Sequence, residues 1–256
     1  MRSAFLCLSL AVLAAGCAVT ETGRDTVYQV STIDSLMAGN YDGIESFASL
    51  RRHGDFGIGT FAGLGGEMVA LDGAFYDCRF DGKVVEVMPD WQTPFASVTF
   101  FQADRSVAGL SAAGLDELWR KLDSQITTVN LPWAIRIDGE FEYIKVRSVP
   151  PQKKPYPPLL EVAKAHPEFE FRKLRGTLVG FRSPPWTKGV NLSGWHLHFI
   201  SADRSCGGHL LDARFADLAA KLDACDAIHI ALPRDTAFAA TNLSTDRQKE
   251  LKQVEQ

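Results

Sequence analysis

The segment from residue 194 to residue 212 restricts the fold of this chain more than any other stretch of the sequence. Its apolar residues alternate with His196 and His198, so on a β-strand both imidazole rings leave the same face. A polar turn at residues 201–208 contains glycine and can reverse the chain, which returns His209 beside the pair. The sequence therefore predicts a β-hairpin on which three imidazoles lie close together.

Three neutral imidazoles are a ligand set for a metal ion, and they leave a coordination position open for water or substrate. We predict a Zn²⁺ site at His196, His198 and His209, where the ion would act as a Lewis acid on a bound oxygen. Iron, nickel and copper also accept imidazole ligands, and the sequence does not choose among them. Cys206 is an alternative fourth ligand, although its glycine neighbours explain this turn better.

The charged residues are spread along the whole chain and give a formal net charge of -4. The sequence has no stripe of lysine and arginine interleaved with aromatic residues, so it does not indicate a nucleic-acid partner. A small-molecule substrate is the better expectation.

The first residues are typical of an export signal. A positive start at Arg2 precedes an apolar segment, residues 4–15, that is too short for a permanent membrane span. The segment ends in Leu-Ala-Ala-Gly-Cys17, which resembles the lipobox of bacterial lipoproteins, where the cysteine is lipidated. We therefore expect a signal peptide at 1–16 and an exported protein on the periplasmic or extracellular face. Lipidation at Cys17 would be its one link to a membrane, with simple secretion as the alternative.

Three cysteines remain outside this leader: Cys78, Cys206 and Cys225. In an oxidising compartment an odd number permits one disulfide and one free thiol. The sequence does not identify the pair, so the oxidation state of these residues is left open.

A proline-rich connection divides the chain into two parts. Residues 17–26 are a polar tether, and residues 27–147 form the predicted N-terminal lobe. Five prolines make the connection at 148–158 stiff. The predicted C-terminal, metal-binding lobe follows at 159–243, and residues 244–256 form a C-terminal tail.

Short alternating segments predict strands, and Asp-Gly pairs predict the hairpin turns between them. Two turns are expected at 72–73 and 81–82, and a further one at 138–139. The spacing of the leucines predicts a helix at 114–122. The natural interpretation of the first part of the chain is an antiparallel β meander.

An internal repeat relates the two parts of the chain. The tetrapeptide Ala-Asp-Arg-Ser occurs at 103–106 and at 202–205, and each copy follows an apolar strand. Each copy is predicted to precede a helix, which ends at Asp123 in the first case and at Asp223 in the second. In an alignment on the tetrapeptide, the three histidines stand opposite residues without an imidazole: Ser97, Thr99 and Leu110. The second copy therefore looks specialised for metal binding.

Four longer motifs are present: Gly-Trp-His-Leu-His-Phe-Ile-Ser-Ala-Asp-Arg-Ser-Cys-Gly-Gly-His (194–209), Gly-Gly-Glu-Met-Val-Ala-Leu-Asp-Gly (65–73), Phe-Phe-Gln-Ala-Asp-Arg (100–105) and Val-Arg-Ser-Val-Pro-Pro-Gln (146–152). With these motifs, residues 27–256 resemble the alpha-acetolactate decarboxylase family. The resemblance implies an α/β fold of the α+β kind, with two related lobes, mixed and largely antiparallel β-sheets and a few flanking helices. It also implies a zinc-dependent carboxy-lyase, usually a homodimer, that converts 2-acetolactate into acetoin and carbon dioxide.

The same resemblance implies the remaining residues of the site. Glu67 contributes a carboxylate, Arg147 a guanidinium, and Glu255 a second carboxylate from a tail that returns to the active site. Thr60 is a lesser position in the wall of the substrate pocket. Arg147 would orient the substrate and the two glutamates would handle the proton, while zinc acts as the electron sink and no organic cofactor is needed. Glu250 is a rival tail donor, and Glu255 fits the tail of the family better.

Two other classes of function remain as alternatives. A zinc lactonase or a cupin-type iron oxygenase also begins from His-x-His on a strand, but cupins add a glutamate ligand soon afterwards, and residues 199–208 contain none. A non-catalytic lipoprotein that binds zinc would use the same three imidazoles. Without the resemblance, Glu67 would be interpreted as a solvated strand residue and Arg147 as a surface cation.

Overall fold

The structure is a computed structural model, and it describes residues 23–255. The predicted signal peptide and Cys17 lie outside the described residues. The strands are β1 (Thr26–Val30), β2 (Glu45–Ser46), β3 (Phe56–Thr60), β4 (Glu67–Leu71), β5 (Ala74–Cys78), β6 (Val84–Glu86), β7 (Gln92–Thr93), β8 (Ala96–Thr99), β9 (Arg105–Ala112), β10 (Trp133–Arg147), β11 (Glu168–Ser183), β12 (Gly194–Ser201), β13 (Gly207–Ala224) and β14 (Ala227–Ala231). The helices are α1 (Ile33–Met37), α2 (Phe47–Leu50), α3 (Leu115–Asp123), α4 (Leu159–Val162), α5 (Thr236–Ala240) and α6 (Gln248–Val254).

The first sheet has seven strands in the order β14-β1-β8-β3-β4-β5-β6. Its pairs are antiparallel except for β1 and β14, which run parallel. Asp72 and Gly73 both have positive φ, as a tight two-residue turn requires, and they join β4 to β5. The hairpins predicted at 72–73 and 81–82 are confirmed.

The second sheet has five strands in the order β10-β11-β12-β13-β9. Strand β10 pairs with β11 along one edge and with β13 along the other, and β12 pairs with both β11 and β13. The four strands β10, β11, β12 and β13 therefore form a closed barrel. All pairs of this sheet are antiparallel. The hairpin of β12 and β13, which carries the three histidines, belongs to this closed arrangement.

The hairpin predicted at 138–139 is wrong. Strand β10 runs straight through Asp138 and Gly139, which pair with Thr177 and Gly176 of β11. The carboxylate of Asp138 accepts hydrogen bonds from Arg136 Nε and Thr177 Oγ1, at 2.7 and 2.8 Å. Pairing along both edges of a long strand outweighs the local turn preference of Asp-Gly.

The second helix of the predicted repeat is also wrong, because the segment that ends at Asp223 is strand β13. Its leucines and alanines favour a helix, but its backbone pairs with β10 on one edge and with β12 and β9 on the other. The first helix, predicted at 114–122, is confirmed as α3. Tertiary pairing therefore separates two segments of similar sequence.

The two copies of the repeat have different surroundings. Strand β8 lies in the first sheet and β9 in the second, whereas β12 and β13 are paired neighbours in one hairpin. His198 and His209 are therefore direct partners, whereas the aligned residues Thr99 and Leu110 lie in different sheets and are not paired. Each predicted lobe, 27–147 and 159–243, contributes strands to both sheets, because β9 and β10 join the second sheet and β14 joins the first.

The two sheets pack face to face through a shared apolar cluster that contains Phe56 and Val69 of the first sheet and Val179 and Ile200 of the second. A second cluster joins the helices α1, α4 and α6 into a cap: Ile33, Leu36, Leu159, Val162, Leu251 and Val254. All three cysteines of the described residues are buried free thiols, which answers the question that the sequence left open. Within residues 23–255, no helix combines the length and the hydropathy needed to cross a bilayer.

Candidate active site

The three predicted histidines converge on the second sheet. His196 and His198 leave the same face of β12, and His209 of β13 stands directly opposite His198 in the ladder. Their potential ligand atoms all lie within 4.8 Å of one another, and His196 Nε2 is 3.1 Å from His209 Nδ1. The alternation seen in the sequence and the reversal of the chain thus produce one group of three imidazoles.

The turn before His209 needs its two glycines. A Cβ on Gly207 would lie 2.5 Å from Cys78 Sγ, and a Cβ on Gly208 would lie 2.4 Å from the carbonyl oxygen of Arg147. Gly208 also has a φ of +151°. The glycines therefore let β13 approach β5 and β10 closely. Among the described residues, Cys206 is outside the group of three histidines that could hold a metal ion.

A hydrogen bond fixes the tautomer of His198. Its Nδ1 lies 2.9 Å from the carbonyl oxygen of Met68, which can only accept, so Nδ1 carries the hydrogen. The lone pair of Nε2 is then free, and this buried atom has no hydrogen-bond partner in the described part of the chain. A metal-binding histidine typically has this arrangement, in which one ring nitrogen donates to a backbone carbonyl and the other keeps its lone pair for the metal.

Burial keeps all three imidazoles neutral. It lowers the pKa of His196 to about 3, with a smaller contribution from the positive charge of Arg147. Burial also holds the pKa of His198 and of His209 well below the usual value, assisted by His196 in the first case and by Arg147 in the second. Neutral imidazoles do not have to release a proton before they bind a metal, so the donor set fits a divalent ion such as zinc.

Glu67 approaches the histidines from the first sheet. It begins β4, is 9% exposed, and places Oε2 3.5 Å from His198 Nε2. Burial raises its pKa to about 8, and the negative charges of Glu255 and Asp77 act in the same direction, against Arg147. The carboxyl is therefore not the solvated strand residue of the simpler interpretation, and it retains a proton near neutral pH.

Thr60 fixes the start of the strand that carries Glu67. The two residues are partners in the pairing of β3 with β4, and the Thr60 hydroxyl donates a hydrogen bond of 2.8 Å to the carbonyl oxygen of Gly66. Thr60 is 5% exposed and lines the pocket. Its observed contacts are those of a wall residue that holds Glu67 in place.

The second carboxylate of the site comes from the tail. Glu255 follows α6, and its Oε2 lies 3.4 Å from His209 Nε2 and 3.9 Å from His196 Nε2. Burial raises its pKa, and Arg147 opposes that rise. The rival, Glu250, faces away and pairs with Arg247 at 3.6 Å with 43% of its side chain exposed. The geometry thus separates the two candidate donors.

Arg147 ends β10 beside the histidines, where its backbone pairs with His209. It is 4% exposed, so it is not a surface cation. Among residues 23–255 no carboxylate forms an ion pair with its guanidinium, and its Nε has no hydrogen-bond partner. The buried carboxyls of Glu67 and Glu255 lie near enough to be influenced by its charge but form no ion pair with it, which leaves the guanidinium free to bind an anionic ligand.

The rest of the pocket is apolar, and sequence reasoning missed these residues. The wall is formed by α1, α4, α6 and three connecting segments: Ile33, Leu36, Leu64, Phe95, Val149, Leu159, Ala163 and Val254. The helices are too short for their periodicity to reveal which face they bury. The apolar wall and the polar groups together line one small pocket.

Fold and site together define a class of protein, an enzyme in which three neutral histidines that could hold a metal ion, two carboxyls and a buried guanidinium face one small pocket. A family model described as Alpha-acetolactate decarboxylase matches residues 27–245. The chain is 45% identical over 237 residues to Alpha-acetolactate decarboxylase of Methanosarcina mazei, which covers 93% of this chain and 82% of the relative. The chain belongs to the alpha-acetolactate decarboxylase family, and it is an enzyme of the lyase class.

Two further comparisons agree with this assignment. Alpha-acetolactate decarboxylase of Bacillus subtilis is 38% identical over 230 residues, or 90% of each chain. The X-ray crystal structure of that protein from strain 168 matches with a TM-score of 0.86 and covers 90% of this chain and 99% of the other. The predicted fold class, mixed α and β with sheets dominant and few helices, is confirmed.

Proposed function

We propose that this chain converts 2-acetolactate into acetoin and carbon dioxide, with zinc bound by His196, His198 and His209. The observation that carries the proposal is Arg147, a buried guanidinium without an anionic partner among the described residues, placed beside three neutral imidazoles. Such a pocket suits a small anion that also has oxygens for a metal. 2-Acetolactate has a carboxylate, a hydroxyl and a ketone on adjacent carbons, which matches these groups.

The three histidines would hold the metal, and the lone pair of His198 Nε2 is the donor whose orientation the structure fixes. When bound, zinc supplies Lewis-acid stabilisation of the negative charge that decarboxylation moves onto the ketone oxygen. Glu67 and Glu255 lie within 3.9 Å of imidazole nitrogens, and the retained proton on Glu67 suits it to acid-base work.

Arg147 orients the substrate. Its planar guanidinium can make paired hydrogen bonds to a carboxylate or to the hydroxyl beside it. This holds the bond to the departing carboxylate in a fixed direction while that bond breaks and carbon dioxide leaves. The electron pair of the bond moves to the ketone, and an enediol anion remains.

Glu67 returns a proton to the carbon that lost carbon dioxide. Burial raises its pKa to about 8 in the metal-free protein, which suits it to hold this proton, and it approaches from the opposite sheet to the histidines. Delivery from one side would give acetoin of one handedness. Glu255 is the second buried carboxyl that lines the pocket, and it lies beside His209. It would help Glu67 to regain a proton from solvent after each turnover.

The test is to incubate the purified protein with racemic acetolactate and to follow acetoin by chiral chromatography, together with zinc content. The intact protein should form one enantiomer preferentially, and His198→Ala should lose metal and product together. Full zinc occupancy without product would support a lactonase or a zinc-binding protein instead. A His198→Ala variant with full turnover and no metal would refute the proposed role of the histidines.

The homodimer, export and the lipid anchor are proposals that rest on the sequence. The leader at 1–16 and Cys17 support an anchored protein outside the cytosol. Metabolic labelling with a fatty-acid precursor should label the wild type and leave Cys17→Ser unlabelled. An unlabelled wild type would contradict the proposed lipid anchor.

Light scattering of the purified protein tests the proposed homodimer, and the mass of a monomer would contradict it.

A further inference from the structure

Two polar groups of the pocket come from different sheets. Arg147 ends β10 of the second sheet, and Glu67 begins β4 of the first. The distance between the two side chains therefore depends on contacts between the sheets. The segment that follows Arg147, residues 148–152, makes several of these contacts through hydrogen bonds.

The side chain of Ser148 is turned away from the pocket. Arg147 and Val149 both line the pocket, whereas Ser148 between them does not, which is the alternation of an extended chain. Ser148 is 0% exposed, and its hydroxyl donates a hydrogen bond of 2.7 Å to the carbonyl oxygen of Cys78. This is the distance of a well-formed O–H···O bond. The residue after Arg147 is thus attached to the first sheet.

The carbonyl group that accepts this bond lies in the strand beside Glu67. Cys78 belongs to β5, and it is the direct partner of Glu67 in the pairing of β4 with β5. The residue before Glu67 is attached as well, because the backbone N–H of Gly66 donates to the carbonyl oxygen of Val149 at 2.9 Å. Residues 148 and 149 therefore hold the first sheet at two points, and both points are next to Glu67.

The two attachments differ in what they use. The bond between Gly66 and Val149 joins two backbones, as does the bond of 2.6 Å from the N–H of Gln152 to the carbonyl oxygen of Gly63. The bond from Ser148 depends on its side chain, so a substitution removes this bond and leaves the backbone donors and acceptors in place. Neither the three histidines nor the proposed proton transfer uses the Ser148 hydroxyl.

We propose that Ser148 is a positioning residue that fixes Arg147 relative to Glu67 through its hydrogen bond to the Cys78 carbonyl oxygen. It acts through Arg147, its neighbour in the chain, and through Cys78, the strand partner of Glu67. Arg147 orients the substrate and Glu67 delivers the proton, so a shift between the sheets moves the donor relative to the reacting carbon. The catalytic consequence rests on the proposed function, whereas the attachment of the sheets does not.

The test compares zinc-loaded Ser148→Ala with the wild type. The variant should lose about tenfold in kcat/KM for acetolactate and form acetoin of lower enantiomeric purity, with zinc content unchanged. The amide of Gly66 should exchange its hydrogen about tenfold faster, because its bond to Val149 loses the support of the neighbouring bond.

Thr187→Val is the matched control. The Thr187 hydroxyl is also buried and donates a bond of 2.7 Å to a backbone carbonyl, that of Pro184, but Thr187 does not line the pocket. This variant should keep the kcat/KM, the enantiomeric purity and the Gly66 exchange rate of the wild type. Losses as large as those of Ser148→Ala would show that any buried hydroxyl has this effect, and would overturn the positioning role.

A double variant separates positioning from a general loss of stability. If Ser148 acts through Arg147, then adding Ser148→Ala to Arg147→Lys should lower kcat/KM by much less than a further tenfold. Effects that multiply in full would overturn the proposal. Unchanged Gly66 exchange in Ser148→Ala, or faster exchange with unchanged kcat/KM, would also overturn it.

Ser148→Cys provides the same measurements if Ser148→Ala does not fold, because it fills the space and replaces the hydroxyl by a weak donor. It should change kcat/KM and Gly66 exchange in the same directions. The exchange measurement needs no substrate. Absence of acetoin formation by the wild type would therefore count against the proposed function, while the exchange rate still decides whether Ser148 holds the sheets together.

Discussion

At the residue scale, the site consists of polar groups that the fold buries without satisfying. His198 Nε2 and Arg147 Nε both lack a hydrogen-bond partner in the described residues. Each such group costs about 1–3 kcal/mol, a cost that a bound metal and an anionic substrate would offset. These atoms are therefore better explained by function than by stability.

The Glu67 carboxyl should make the metal-free protein less stable as pH rises. Its pKa is about 8 when folded and near 4.5 when unfolded, so between these values the folded chain holds a proton that the unfolded chain has lost. Stability from this group is complete below pH 4.5 and disappears as pH rises through about 8. Glu67→Gln should remove this dependence. Between pH 4.5 and about 8, the free energy of unfolding of the variant should therefore rise relative to that of the wild type by up to about 1.4 kcal/mol per pH unit.

Urea unfolding of the two metal-free proteins at several pH values measures this difference. The exposed Glu250→Gln variant is the control and should track the wild type. A constant difference between Glu67→Gln and wild type from pH 5 to pH 8 would contradict the raised pKa.

Replacement of Arg147 by lysine should separate charge from geometry. Lysine keeps a positive charge but loses the planar pair of donors, so kcat/KM for acetolactate should fall by about 100-fold while zinc stays bound. Steady-state kinetics with parallel metal analysis measures both. Wild-type kcat/KM in Arg147→Lys would show that paired hydrogen bonds from this residue are not required.

At the element scale, the register of β12 against β13 determines the ligand set. His198 and His209 meet because they are direct partners, and a slip of one residue would turn His209 to the other face. Local alternation and a glycine turn were enough to predict this hairpin. The same kind of signal failed at 138–139, where pairing along both edges of β10 overrides the turn.

Gly208→Ala should disrupt the hairpin. Its Cβ would lie 2.4 Å from the Arg147 carbonyl oxygen, a backbone atom that cannot move without shifting β10. We expect a loss of about 2 kcal/mol or more and weakened zinc binding. Gly73→Ala is the matched control, since that position has positive φ but nothing within 4 Å, so only strain of about 1 kcal/mol is expected. Thermal unfolding and zinc titration of both variants decide the point, and equal losses would contradict the steric argument.

At the scale of the whole molecule, the site lies between the two sheets under a helical cap. The second sheet provides the histidines and Arg147, the first provides Glu67, and α6 provides Glu255. A metal bound there would be held by the histidines of the second sheet and would lie beside the carboxyls of Glu67 and Glu255. Residues distant in the chain therefore become one site only when the sheets are packed.

Removal of the metal should lower the thermal stability of the whole chain. A ligand present at 100 times its Kd stabilises the folded state by about 2.7 kcal/mol, which for a chain of this size corresponds to roughly 5–10 °C in Tm. A chelator titration followed by calorimetry measures the shift, and added zinc should reverse it. His198→Ala should show no zinc-dependent shift, and a shift of wild-type size in that variant would place the stabilising metal elsewhere.

The sequence alone determined the parts of this protein that are encoded locally. Alternation along β12, the glycines before His209 and the Asp-Gly turn at 72–73 specify backbone conformations over a few residues, and these predictions were confirmed. The family followed from the same motifs. The three histidines could be predicted because one hairpin carries them all.

Only the tertiary structure decided what depends on distant partners. It turned 207–224 into a strand, buried Arg147 without an anion among the described residues, and brought Glu255 rather than Glu250 to the histidines. Helix preference and local charge do not specify these outcomes, because they arise from strand pairing, from burial and from apolar packing between segments far apart in the chain. The apolar wall had no signal in the sequence for the same reason.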